Sequence, residues 1–438
     1  MWFSSLRRTR TSTCSVRSQA QHQPVARRFR PRLEALEDRW MPSTLTVTNI
    51  LDSGPGSLRA EIAAANSGDT INFASSLDGQ TVTLTSGELL INKGLTIQGP
   101  GAGQLTVSGN NQSRVFDIGG LGQSIVLSGL TISNGKNLNG GGIYNGGALT
   151  VSGCTISNNN DGHPSRGTTF GGGIANHGFL TVIGCTISNN SCRLWGGGIY
   201  NAQSLIVSNS TVSSNSVNSA FGDGGGIANT GMVTLTNCTL ANNSASEGGG
   251  LFVTYTNIGG TARLTNCTLA NNSAGYGGGL FVDVSGGHGL TTATLTNCTL
   301  SVNSAQYGGG IYVGPGGVTL GGLLNLTNTI VAGNTAGVTP DINGTVATAD
   351  HNLVGDATGS TGIYNGVNGN IVGGHGNPVN AHLGPLQNNG GPTQTMALLA
   401  GSPAIGHADN GSAPATDERG FTRRDKPGEL TDIGAFEL

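Results

Sequence analysis

Three consecutive glycines followed by Ile or Leu recur seven times in the middle of this chain, starting at Gly140, Gly171, Gly196, Gly224, Gly248, Gly277 and Gly308. The step between copies drifts from 24 to 31 residues while the motif itself stays fixed. A period of that size with variable length describes stacked coils, each unable to bury its apolar face without neighbours. Function on such a solenoid belongs to its flanks and loops rather than to a central pocket.

One coil can be read from Gly140, in GGGIYNGGALTVSGCTISNNN. Ile143 points inward, and Leu149 and Val151 follow at the period of two that a half-buried strand requires. Cys154 and Ile156 also alternate, but one step out of phase. A strand cannot change its buried face without bending, so Ser152-Gly153 is a corner. Asn158-Asn159 is another, because Asn tolerates left-handed backbone. The same columns recur as Leu180, Val182, Cys185 and Ile187, and again as Val233, Leu235, Cys238 and Leu240. Three short strands therefore surround a triangular core in every coil. Each glycine triplet lacks the strand-then-helix setting of a phosphate cradle and reads as a tight corner where a Cβ would not fit.

Composition narrows the function classes. The chain has 438 residues, of which 76 are Gly and only 10% are charged, with a net charge of -3. That balance gives no electrostatic case for nucleic acid or an anionic membrane. Residues 1–40 differ, with nine arginines against Glu34, Glu37 and Asp38. No apolar run follows those charges, so this start is a basic, disordered segment rather than an ordinary secretory signal. No window is apolar enough for a transmembrane helix. Cys154, Cys185, Cys238, Cys267 and Cys298 share a template position that Leu130, Ser210 and Thr329 fill elsewhere. Buried thiols are expected there, with Cys14 and Cys192 outside the pattern.

Loop length varies at two corners, through residues 160–170, 191–195 and 216–223 early in the stack and 254–261, 284–292 and 314–322 later. Ahead of the stack, Ser57 caps a short expected helix near 57–66 that lids the first coil. Residues 335–438 read as closing turns and a C-terminal cap. Between residues 140 and 330 the charged residues are only Asp161, Arg166, Arg193, Asp223, Glu247, Arg263 and Asp283. The template puts no two carboxylates at one position on adjacent coils. His163, His177 and His288 read as loop residues. Asp409, Asp417, Glu418, Arg419, Arg423, Arg424 and Asp425 crowd together in the cap and read as an ion-pair network pinning the closing loop, with a catalytic cluster as the alternative.

The triplets, with Ile156-x-x-Asn159, Leu240-x-x-Asn243 and Leu269-x-x-Asn272, resemble the repeats of polymorphic outer membrane proteins, with Gly in place of Ala and Ile or Leu in place of Phe. That resemblance implies a surface-exposed, adhesion-associated β-helix. The opening VTNILDSGPGSLRAEIAAANSGDTINF and the close GSPAIGHAD…DERGFTRRD…DIGAFE are similar to choice-of-anchor Q domain proteins, which are exported bacterial β-helix proteins. Gly406 stands where those proteins read Asp. The stretch RPRLEALEDRWMPS resembles an N-terminal motif of bacterial exported proteins without ordinary signals. No anchor or C-terminal barrel is expected in residues 335–438.

The expected fold is all-β: a right-handed, single-stranded parallel β-helix, pectate-lyase-like, with an N-terminal capping helix and an irregular C-terminal cap. The domains are a basic segment at 1–43, the helix at 44–334 and the closing part at 335–438. The expected function is a non-enzymatic, exported protein of the cell surface or outer membrane. Its loops 160–170 and 284–292 would meet a surface glycan or protein ligand. No catalytic, cofactor-binding or metal-binding residue and no cofactor are assigned. The rivals are a polysaccharide lyase or hydrolase, which needs carboxylates aligned along one face, and a passive envelope component.

Overall fold

The computed structural model describes residues 42–438 except 121, 163–166, 255–258, 285–290, 315–322, 424–427 and 429. Residues 1–41 of the basic segment thus lie outside the described residues, as do His163, His288, and parts of the loops 160–170 and 284–292.

A representative coil consists of strands Ile143–Asn145, Ala148–Ser152 and Thr155–Ser157. Each pairs in parallel with its counterpart one coil away. The first strands align as Ile143, Ile174, Ile199, Ile227, Leu251, Leu280 and Ile311. The second align as Leu149, Leu180, Leu205 and Val233. This makes a right-handed parallel β-helix of about ten turns with very little α-helix. The inward columns merge into one continuous apolar core. Helix Leu58–Ala64 buries Leu58 and Ile62, and the Ser57 hydroxyl accepts from the Ala60 N–H as its N-cap.

The corners explain the glycines and asparagines. Between second and third strands the backbone turns through positive φ at Gly153 (+56°) and Gly184 (+60°), and later coils place Asn209, Asn237, Asn266, Asn297 and Asn328 there. Both residue types reach left-handed backbone at low cost. At the triplets, the first glycine has φ between +61° and +71°. The third faces a different limit: a Cβ on Gly226 would lie 2.5 Å from the Gly250 carbonyl and 3.1 Å from the Asn243 amide.

Behind the triplets runs a buried ladder of Asn159, Asn190, Asn215, Asn243, Asn272, Asn303 and Asn334, whose Nδ2 atoms donate to the next Oδ1 at 2.9–3.0 Å. Asp341 ends it, accepting from Asn334 at 2.8 Å. Burial pushes the Asp341 carboxyl up to about 6. A second ladder joins Asn145, Asn176, Asn201 and Asn229 at 2.7 Å. The thiols of Cys154, Cys185, Cys192, Cys238, Cys267 and Cys298 are free and buried.

The stack runs past Asn334: Ile342–Asp350 pairs with two strands of the preceding coil, then Leu353–Val354 and Ile371–Val372 add to the third-strand sheet. The chain after it does not simply close the end. It returns along the outer face of that sheet as a strap, because outward threonines there offer hydroxyls to it. Thr239 donates to the Gln394 carbonyl at 2.6 Å, Asn266 Nδ2 to Thr416 at 2.8 Å, and the Ala435 N–H to Thr299 at 3.0 Å. Ion pairs hold the strap itself, Arg419–Asp417 and Arg423–Glu437, both at 2.7 Å. Arg424 and Asp425 lie outside the described residues.

Glu418 is fully buried under this strap and accepts from Thr268 (2.5 Å), Thr239 (3.1 Å) and Thr393 (3.1 Å). Burial drives its carboxyl well above the ordinary range, against the pull of those hydroxyls. The folded state therefore holds a proton that the unfolded chain releases near pH 4.5, so stability falls as pH rises above that value. Glu418→Gln carries no such proton. Its melting temperature is expected to gain on the parent as pH rises above 4.5, as followed by circular dichroism. Parallel melting curves for the two proteins would contradict this account.

Candidate active site on the glycine-strand flank

Three outward columns line the flank that carries the glycine triplets. The first is the residue before each triplet, stacked by parallel bridges as Phe170, Trp195, Asp223, Glu247, Tyr276 and Tyr307. The second is the middle of each first strand, with Tyr144, Ala175, Tyr200, Ala228, Phe252, Phe281 and Tyr312 in register. The third follows the strand: His177, Ala202, Thr230, Thr254 and Asp283 each donate a backbone N–H to the strand of the previous coil. Alternation along a strand forces every such side chain off the core, and parallel stacking repeats it at about 4.8 Å.

The result is a strip of rings interrupted by two carboxylates. Phe170 lies 4.4 Å from Tyr200 between ring centres, Trp195 5.8 Å from Phe252, Phe252 5.2 Å from Phe281, and Phe281 5.0 Å from Tyr312. Tyr276 stacks on Tyr307 at 5.3 Å with the planes 9° apart. Trp195, Tyr276, Tyr307 and Tyr312 are half-buried, leaving part of each ring open. His177 lies in the turn between strands Ile174–Asn176 and Phe179–Ile183, as a loop residue, and its ring meets Tyr144 at 5.4 Å and Tyr200 at 5.5 Å.

Asp223 and Glu247 sit on adjacent coils at one position, which corrects the expectation that no carboxylates align. The columns used to align the sequence were inward ones, and the varying loops ahead of each triplet hid the outward one. The signal was nevertheless present: reading the residue before every triplet spells Asn, Phe, Trp, Asp, Glu, Tyr, Tyr. Asp283 arrives one coil further and accepts from the Thr254 hydroxyl at 2.7 Å.

Burial, then the charges of Glu247 and Asp283, push the Asp223 carboxyl up to about 8. Burial and Asp283 also raise Glu247. Among the described residues no basic neighbour draws either one down. A carboxyl raised to about 8 holds its proton to a higher pH than an ordinary carboxylate, as a proton-donating group requires. Among the described residues no three His, Cys, Asp or Glu side chains are grouped to hold a metal ion. A cavity of about 520 Å³ lies elsewhere, against Asn334, Asp341, Val379, His382 and Met396. Of its two buried carboxylates, Asp341 already accepts backbone N–H groups from Asn334 and Asp356, and Asp356 accepts that of Thr358.

No protein-family model and no curated protein sequence matches the chain. Solved structures do. The pectate lyase Pel9A aligns with a TM-score of 0.51 at 14% identity, over 90% of this chain and 97% of that one. The two share a fold. A mannuronic-acid-specific family 6 polysaccharide lyase from human gut microbiota aligns with a TM-score of 0.28 at 13% identity, over 74% of this chain and 89% of that one. A family 6 alginate lyase solved with a trisaccharide gives 0.33 at 14%, over 87% and 95%.

The likeness to Pel9A establishes the pectin-lyase-like β-helix. It also corrects the non-enzymatic reading. That reading rested on a flank without aligned acids, whereas the chain has the acids and shares its architecture with a polysaccharide lyase. No helix among the described residues is long and apolar enough to cross a membrane.

Proposed function

We propose that this protein is a polysaccharide-cleaving enzyme, a lyase or hydrolase that works on the glycine-strand flank. One observation carries the reading: the column Phe170–Trp195–Asp223–Glu247–Tyr276–Tyr307, an acid pair bracketed by rings on both sides. Pyranose rings present apolar C–H faces, which lie well against aromatic rings, and a strip several coils long suits a polymer rather than a small ligand. Asp223 donates its proton to the leaving glycosidic oxygen, and Glu247 or Asp283 takes one up. The shared fold with Pel9A supports the substrate class. Polymeric glycans are met outside the cytoplasm, in keeping with the exported setting that the N-terminal motif implies.

The test is incubation of the purified chain with a broad polysaccharide panel, following new reducing ends and the ultraviolet absorbance of unsaturated sugar ends. Chain shortening by the parent that Glu247→Gln abolishes is the expected result. If no polysaccharide is shortened, or if the Glu247→Gln and Asp223→Asn proteins both shorten it as the parent does, the reading falls.

A further inference from the structure

We infer that the glycan taken by this flank carries no acidic groups: it is an uncharged or amine-bearing polysaccharide, not a polyuronate. The inference rests on the cleavage reading for its site but not for its ligand chemistry. The rings provide adhesion that is indifferent to charge. The ionisable side chains described at the centre of the strip are all acidic, Asp223, Glu247 and Asp283 on neighbouring coils.

The described arginines are engaged elsewhere. Arg114 lies over Tyr144 at one end of the strip and is held by Glu88 at 3.2 Å and Asp117 at 2.9 Å. Arg263 is exposed on the second-strand flank, between Thr234 and Thr294. The Arg193 backbone N–H is bound by Asp161 and its guanidinium reaches the Gly167 carbonyl. A uronate set down between the rings would thus place its carboxylate beside acidic side chains, and no described basic side chain acts on Asp223 or Glu247.

That ligand chemistry selects the reaction. β-Elimination requires a carboxylate on the sugar to acidify the adjacent C–H, and a glycan without one leaves hydrolysis. The C1–O bond then breaks, water's oxygen bonds to C1, one proton passes from Asp223 to the leaving oxygen, and one passes from water to Glu247. Both groups regain their starting states by exchange with solvent.

The experiment is native gel electrophoresis through hydroxyethyl cellulose, partially deacetylated chitosan, polygalacturonate or alginate. The last two are run with and without calcium, and reducing ends are measured in parallel. Retardation by at least one non-acidic polymer, at least ~10-fold stronger than by either polyuronate, is the expected outcome. Trp195→Ala and Tyr276→Ala are each expected to weaken it severalfold. Retention or cleavage of a polyuronate, or no retention by any polymer, overturns the inference. Polyuronate cleavage would leave the enzymatic reading intact. Retention on a non-acidic polymer with no new reducing ends would do the reverse, sinking the cleavage reading and keeping the ligand class.

Discussion

Asp223→Asn should cut polysaccharide cleavage by about 10²–10⁴-fold, the range for removing a positioned general acid, while making the folded chain more stable. Amide and carboxyl have nearly the same shape, so the rings around the position need not move. The carboxyl of Asp223 is pushed up to about 8 by burial and by Glu247 and Asp283. In the unfolded chain it titrates near 3.9. The folded state therefore binds the extra proton between those values, and the parent loses stability as pH climbs from 4 to 8. The variant has nothing to lose over that window. Its advantage in melting temperature should widen up to about pH 8 and then level off. The parent's cleavage rate should decline above the same pH, when the acid has lost its proton. A variant that keeps parental activity, or whose stability advantage does not change with pH, would remove Asp223 from the role given to it.

The largest stability effect is expected at Asn243→Leu, in the middle of the buried ladder. Leu has nearly the right volume, so the loss is one of hydrogen bonds rather than of space. The Asn243 Oδ1 accepts both the backbone N–H and the side-chain amide of Asn215 at 3.0 Å, while its Nδ2 donates to the Val212 carbonyl at 2.9 Å and to Asn272 at 3.0 Å. Asn215 Nδ2 would keep the Ile187 carbonyl and Asn272 Oδ1 the backbone N–H of residue 243, but the Asn215 N–H and the Val212 carbonyl would lose this partner, at about 1–3 kcal/mol each. A cost of roughly 2–6 kcal/mol follows, read as a fall in the urea midpoint. Because each coil bears only on its neighbours, the weakened point should also become the preferred site of proteolytic nicking. A midpoint within experimental scatter of the parent's would show that the ladder is incidental.

The ladder also shows what was legible in advance. Asn159 and its equivalents could be placed at a corner because Asn suits left-handed backbone. Yet Asn158 is the one that turns, with φ of 57°, while Asn159 points inward to bond along the axis. Spacing alone does not reveal that a polar side chain is buried and satisfied by its own copies. His177 does lie in the turn between Ile174–Asn176 and Phe179–Ile183, but its ring contacts come from Tyr144 and Tyr200 on other coils and could not be read along the chain. Glu418 lies more than a hundred residues from Thr268, and only the returning strap brings them together.

What the chain's order of residues determined by itself was the coil: three short strands, their inward columns, glycine and asparagine corners, and parallel stacking. Those features follow from local rules of period and backbone preference, which repeat in every copy and so reinforce one another. Tertiary structure decided how closely the outward residues of one face approach and how deeply they are buried. Asp223 and Glu247 became neighbours only when loops of unequal length were folded away and the triplets came into register. Their proton affinities depend on that meeting, since burial and like charge act through space and not along the chain.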